Sequence, residues 1–320
     1  MTGSKALEKC VNIEDLRRLA KSKLPAPIFH FVDGGAEEEV TMRRNISAFD
    51  DYEIETEYAV DVGQIDTSTT VLGQKIDWPV MTAPTGTVGL VRAGGELDAV
   101  RAVAKSGTIY SQSCVSNVTI EDVAAASDGP KMFQAYTFRD RAITRDFMAR
   151  IKDAGFEALC LTYDVPVPGM RERDLHYGLK VPPEFSLNAL LQFAIRPGWV
   201  WRYLMGPKFV MGNIQKHLKE SDADLSTIIK FVANQFDPTA TWKDAEELIA
   251  ELSSAILGAE LGLPVTHLDH HASYIASWLK ILKSDERAIL TAAAKAEEAA
   301  SLLLDLGGHQ SNESEPDIDL

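Results

Sequence analysis

Residues 131–164 read KMFQAYTFRDRAITRDFMARIKDAGFEALCLTYD, and the division of that stretch decides the fold class. Lys131-MFQAYT and Ala158-LCLTYD are short apolar runs that end in polar residues. Between them, RDFMARIKDAG spaces its apolar residues as a helix does. The same rhythm continues upstream, where Pro79-VMTAPT and Gly107-TIYSQS are separated by GGELDAVRAVAKS, and TIEDVAAAS precedes residue 131. Strands alternating with helices in this way predict βαβ units and a parallel sheet of four strands. Each run ends in polar or small residues: Thr85-Gly86, Ser113, Gln134 to Thr137, and Thr162 to Asp164. A strand end is often polar only because it enters a loop. Hydroxyl, amide, phenol and carboxylate groups at successive ends point instead to a ligand site, since chemistry in parallel α/β folds gathers there.

Outward from this core, Asn12 followed by IEDLRRLAKSKL reads as a capped helix with acids in its first turn. Gly34-Gly35 breaks the next apolar stretch, and EEEVTMRRN reads as a polar helical turn. After Asp164 a long segment, 165–240, is rich in proline and aromatics. Trp199, Trp201 and Tyr203 beside Arg196 and Arg202 form a candidate membrane-surface patch within 187–211. The alternative is a lid packed onto its own domain. From Asp244 onward the pattern is helical. Leu248, Ile249, Leu252, Ile256 and Leu261 form one stripe, Tyr274 to Leu282 suggests another, and TAAAKAEEAASLLLDL leads into an acidic tail.

Hydrophobic residues make up 45% and charged residues 25% of the 320, ordinary for a globular chain. The net charge of −15 argues against nucleic-acid binding, which needs clustered Lys and Arg. That charge is uneven: −11 falls on residues 244–320 and only −4 on the first 243. Cys10, Cys114 and Cys160 are far apart and form no CxxC, which fits a reducing cytoplasm and neither disulfides nor structural zinc. MTGSKALEKC lacks the apolar core of a signal peptide. Leu187 to Met211, the most apolar window, is interrupted by Arg196, Pro197, Arg202 and Pro207 and is no transmembrane helix.

Residues 10 to about 243 resemble the FMN-dependent 2-hydroxy-acid dehydrogenases, a family of TIM barrels that includes L-lactate and mandelate dehydrogenases. The resemblance rests on KLPAPIFHFVDGGAEEE, PVMTAPTG, GTIYSQS, FQAY, LTYDVPVPGMRERD and DPTATWKD, in that order. It implies FMN as cofactor and a small L-2-hydroxy acid, lactate-like, as substrate. By position, Pro84, Thr85 and Gly86 would set backbone against the isoalloxazine ring, and Ser113, Gln134 and Thr162 would hydrogen-bond its polar edge. Tyr136 would touch the substrate, Arg171 would clamp its carboxylate, and Asp164 would orient a catalytic histidine. Phe31 stands where the family usually has a tyrosine.

The family's later motifs, a lysine near flavin N1, the SNHGG histidine, a second arginine and a glycine-rich phosphate site, do not occur in this sequence. A complete (β/α)₈ barrel takes ~250 residues. The expected architecture is therefore an incomplete barrel of about four βα units, preceded by a helical extension over 1–78. The barrel part spans 79–243, an all-α segment spans 244–307, and a disordered acidic tail spans 308–320. The helical segment, DAEELIAELSSAILGAELG through HHASYIASWLKILKSDERAILTAAAKAEEAA, is similar to the C-terminal end of zincin-like, ArdC-like antirestriction proteins. That likeness makes Glu247 or Glu251 a zinc-ligand candidate. The sequence has no HExxH, and His267, Asp269, His270 and His271 read as a polar loop, so no metal is expected. Open outer strands invite pairing of two chains. Two rival readings accompany the dehydrogenase: an inactive fusion acting as an interaction module, and an antirestriction-like helical fragment without zinc. The expected location is cytoplasmic, with peripheral contact at the inner face of the membrane.

Overall fold

The computed structural model describes residues 2–164, 169–177, 187–218, 225–246 and 248. Expectations for Glu247, Glu251, His267 to His271, most of the 244–307 segment and the 308–320 tail lie outside them. The chain divides into two compact units at Ala240/Thr241.

The N-terminal part contains α1 (Thr2–Leu7), α2 (Ile13–Lys23), α3 (Ala26–Asp33) and α4 (Val40–Ser47). The Asn12 side chain accepts from the Asp15 N–H at 2.8 Å and caps α2. Gly34 ends α3. The extension is not wholly helical. Two short strands, β1 (Thr69–Val71) and β2 (Gln74–Ile76), form an antiparallel hairpin whose loop, Leu72-Gly73, has φ of 52° and 76°.

Next come α5 (Val88–Val91), α6 (Gly95–Lys105), β3 (Tyr110–Ser113), α7 (Ile120–Ala126), β4 (Lys131–Tyr136), α8 (Arg141–Asp153) and β5 (Ala158–Thr162). Strands β3, β4 and β5 form one parallel sheet in that order, as the alternation predicts. The run from Pro79, expected as the first of four strands, is not a strand. The Thr82 N–H donates to Ile109 O at 3.2 Å and the Thr108 hydroxyl reaches Val80 O, so residues 80–82 lie along β3. Pro79 and Pro84 have no N–H to give, which limits this edge to an irregular ladder.

Side-chain alternation gives the sheet two faces. On one, Phe133 meets Phe147 of α8 and Phe156 edge-on, and Tyr110 packs with Val100 and Val123 of the flanking helices. On the other, Ile109 and Met132 pack against Ile76, with Ala158 and Cys160 beside them. The hairpin strand β2 thus covers the apolar, N-terminal part of this inner face. The strand ends beyond it are polar.

The segment after β5 carries helices of its own: α9 (Glu172–Tyr177), α10 (Leu187–Ala194), α11 (Pro197–Met205) and α12 (Leu225–Gln235). Trp199, expected in the membrane patch, is instead buried with Leu24, Ile28 and Phe29, and its indole N–H donates to Leu90 O at 3.0 Å. An apolar body with one polar handle is best satisfied in such a site. Trp201, two residues on, is exposed, as are Leu190, Leu191, Ile195, Leu204 and Met205.

Candidate functional site

Register places Ser113 beside Gln134 and Tyr136 beside Thr162. All four side chains belong to the inner face, at the C-terminal ends of the strands. The Ser113 hydroxyl donates to Gln134 Oε1 at 2.9 Å, and Gln134 Nε2 donates to Thr162 Oγ1 at 2.8 Å. A hydroxyl–amide–hydroxyl chain therefore crosses the whole sheet, with Ser113 and Gln134 buried. Gly86 abuts its first member. A Cβ there would lie 3.5 Å from Ser113 Oγ and only 2.5 Å from Val115 Cγ2, so the loop approaches this closely only without a side chain. Pro84 is half-buried and Thr85 exposed in the same loop.

Tyr136 stacks edge-on against Phe236, with ring centroids 4.8 Å apart. These two, with Thr137, Thr162, Tyr163 and Asp237, line a cavity of about 30 Å³. Burial, and after it the negative charge of Asp164, pushes the Tyr136 phenol up to about 12. It stays a neutral hydrogen-bond donor across the physiological range. Cys114 is fully buried and its thiol is also pushed up to about 12, which leaves it unreactive. Asp164 is exposed at the end of β5.

Arg171 makes its contacts elsewhere. Its Nε donates to Asp174 Oδ2 at 2.5 Å, its Nη2 to the Phe31 carbonyl, and its guanidinium lies 5.3 Å from the Phe31 ring centroid. Its Nη1 edge takes no part in these bonds. The structure thus brings together the strand-end residues and, separately, Arg171 with Phe31, the position where a tyrosine was expected. Nearby, Arg173 bridges Asp33 at 2.7 Å and Glu39, fastening α9 to α3. His30 stacks on Tyr177 at 3.6 Å, and burial holds its imidazole below the usual histidine range. His217 pairs with Asp146 at 3.2 Å.

Two contributors went unnoticed in the sequence. Glu96 is buried, accepts from the Ser116 hydroxyl and takes the Asn117 N–H at 3.0 Å, fixing the loop that leaves β3. In GGELDAVRAVAKS it looks like any first-turn acid, so no signal marked it. Phe236 is held just past the C-terminal end of β4 by an antiparallel bridge to Phe138 and by Arg139 N–H donating to Gln235 O at 2.8 Å. Its neighbour Asp237 pairs with Arg141 at 2.8 Å. The DPTATWKD resemblance pointed at this neighbourhood without identifying the ring.

A flavin edge presents alternating carbonyls and ring nitrogens in one plane. The Ser113–Gln134–Thr162 chain offers donors and acceptors in one row at the strand ends, and the side-chain-free Gly86 beside it admits close approach. The donor set fits the polar edge of such a ring. Among the described residues no group of three or more His, Cys, Asp or Glu is placed to hold a metal.

The chain matches the family model for FMN-dependent dehydrogenase over residues 20–257 and that for zincin-like metallopeptidase over 228–295. An L-lactate dehydrogenase of Caulobacter sp. (strain K31) is 38% identical over 233 residues, 72% of this chain and 61% of that protein. One of Alcaligenes faecalis is 36% identical over the same span. Among solved structures, the monotopic membrane protein (S)-mandelate dehydrogenase superposes with a TM-score of 0.71 at 30% identity, covering 76% of this chain and 64% of that one. A mandelate oxidase gives 0.59 at 29% identity, covering 76% and 60%. The chain spans about 61% of the length of the curated relatives it matches.

Proposed function

The chain belongs to the FMN-dependent dehydrogenase family, whose cofactor is FMN, and from that premise we propose that it binds FMN and a small L-2-hydroxy acid at the strand ends of an incomplete (β/α)₈ barrel. One observation carries the reading: the hydrogen-bonded row Ser113–Gln134–Thr162, with Gly86 against it. Bound at this site, FMN would supply the acceptor for the two electrons and the hydrogen leaving substrate C2 as its C–OH becomes a carbonyl, the hydroxyl proton departing separately. The chain's own residues bind and orient. Backbone at Pro84 to Gly86 would hold the ring, and the Ser113–Gln134–Thr162 row would bind its polar edge. The neutral Tyr136 phenol donates to the substrate, and the Phe236 ring closes one side of the cavity and keeps water out. Arg171 receives the substrate carboxylate on its Nη1 edge, held in place by Asp174 and the Phe31 carbonyl.

The substrate hydroxyl must also lose a proton. Asp164 suits the support of a histidine base, but among the described residues His30 stacks on Tyr177, His176 is exposed on α9 and His217 pairs with Asp146. General-base catalysis contributes ~10² to 10⁴ in rate, so we infer that this 320-residue chain oxidises lactate slowly. The junction between the dehydrogenase part and the zincin-like part falls at about Thr241 to Glu247, inside the stretch both family models match. The exposed residues of α10 and α11 rest on a membrane surface. The monotopic nature of the (S)-mandelate dehydrogenase relative supports this reading, and no described helix is long and apolar enough to cross one. The outer edge of β5 is the place where a second copy pairs.

The test is anaerobic mixing of FMN-loaded protein with L-lactate or (S)-mandelate while the flavin absorbance is followed. Bleaching by L-lactate, lost in Arg171→Met with flavin still bound, is expected. Stable colour with both acids overturns the oxidation while leaving flavin binding intact.

A further inference from the structure

Between Arg44 and Lys75 the chain carries no Lys or Arg, and seven acids: Asp50, Asp51, Glu53, Glu55, Glu57, Asp61 and Asp66. Large apolar residues alternate with them, at Tyr52, Ile54, Tyr58, Val60 and Val62. Such alternation normally marks a half-buried strand, one face on a core and the other in water. Here neither face is covered. Tyr52, Ile54 and Tyr58 are 80%, 90% and 87% exposed. Residues 52–57 belong to no helix or strand, and among the described residues 53–60 make no backbone hydrogen bond. The segment is flanked by fixed structure: the turn at Ala48–Asp51 precedes it, and hairpin strand β2, seated on the core through Ile76, follows.

A run of exposed aromatic and branched side chains with a free backbone is a surface that pairs with another chain. Charge selects the occupant. A second copy would set this acidic strip against itself, and like charges opposite one another destabilise a strand pair. Residues 244–320, at −11, carry the same sign. Anionic lipid and nucleic acid are repelled for the same reason.

We propose that residues 52–58, the extended stretch between the turn at Ala48–Asp51 and the left-handed Ala59, are a docking strip for a basic, apolar polypeptide segment that adds alongside them as an extended strand. Backbone pairing and the Tyr52/Ile54 side supply affinity, and the Glu53, Glu55 and Glu57 side supplies selection for lysine or arginine. This inference does not depend on flavin binding.

The test uses a labelled peptide of six Lys-Val repeats, with a Glu-Val peptide as its counterpart, and fluorescence anisotropy of the full chain. The Lys-Val peptide is expected to bind and the Glu-Val peptide not to. Binding should fall at least tenfold in Glu53→Lys/Glu55→Lys/Glu57→Lys and also in Ile54→Ser/Tyr58→Ser. The equally charged control Glu37→Lys/Glu38→Lys/Asp153→Lys should keep it. Equal loss in the control would show attraction to net charge alone and overturn the proposal. Retention in the serine variant overturns it too. A dimer of the parent chain that Ile54→Ser/Tyr58→Ser dissolves would assign the strip to a second copy instead. All these positions are solvent-facing, so unchanged melting temperatures are expected and verify the fold.

Discussion

At Glu96 a carboxyl with almost no access to water accepts from the Ser116 hydroxyl and the Asn117 N–H. Burial raises its pKa above the ordinary 4.5 and outweighs the hydrogen bonds that favour the anion. A carboxyl raised on folding favours the folded state while it is protonated. That contribution is complete below about 4.5 and is lost as pH climbs through the raised value. Urea midpoints of the parent chain should therefore fall as pH rises from about 4.5 through the raised value and level off above it, and Glu96→Gln should flatten that part of the profile. An identical slope in the two proteins would contradict the assignment. Gln134 is the opposite kind of buried group, neutral and satisfied on both sides by Ser113 and Thr162. Gln134→Leu strands both hydroxyls and should cost about 1–3 kcal/mol by chemical denaturation. The polar strand ends were legible as a set because hydroxyl and amide types recur at the end of each run. The pairing among them was not, since it depends on register. Nor was the fate of Arg171, whose partners Asp174 and Phe31 lie on two helices.

Neighbouring tryptophans of one helix behave differently. Trp199 is anchored in the cluster around Ile28 and Phe29, whereas Trp201 faces outward. Trp199→Ala should lower stability by about 3–5 kcal/mol. Trp201→Ser should leave the melt unchanged and weaken sedimentation with phospholipid vesicles, and undiminished sedimentation would remove the membrane reading of α10–α11. Composition alone could not divide the pair, because both follow the same arginine-flanked apolar pattern. Elements with local signals were legible: the Asn12 cap, the Gly34 stop and the βαβ rhythm all correspond to elements observed. The β1–β2 hairpin was missed because its two-residue loop has φ above zero at Leu72, a place where asparagine is the usual signal. Leu72 is exposed and gives up little packing. Leu72→Asn should therefore raise stability by about 1 kcal/mol, the left-handed penalty of a branched side chain, read as a higher melting temperature. The run from Pro79 was over-read as a strand because its apolar content is strand-like while its prolines withhold donors.

At the scale of the molecule, two family models meet in one chain, and among the described residues the flavin-type part supplies one row of strand ends where a closed barrel would supply a ring. The plug of β2 under the sheet, the Glu96-fixed loop and the Asp237–Arg141 tether hold those ends in place. Affinity for the flavin ring should then survive, and on the proposed reading proton removal, which needs a placed base, is the step expected to be slow. Titration of FMN fluorescence by the purified chain tests this most directly, with Gln134→Leu alongside. Saturable quenching by the parent chain and at least tenfold weaker quenching by the folded variant are expected. Quenching that is absent, or equal in the two proteins, would contradict the assignment of the strand-end row to the flavin.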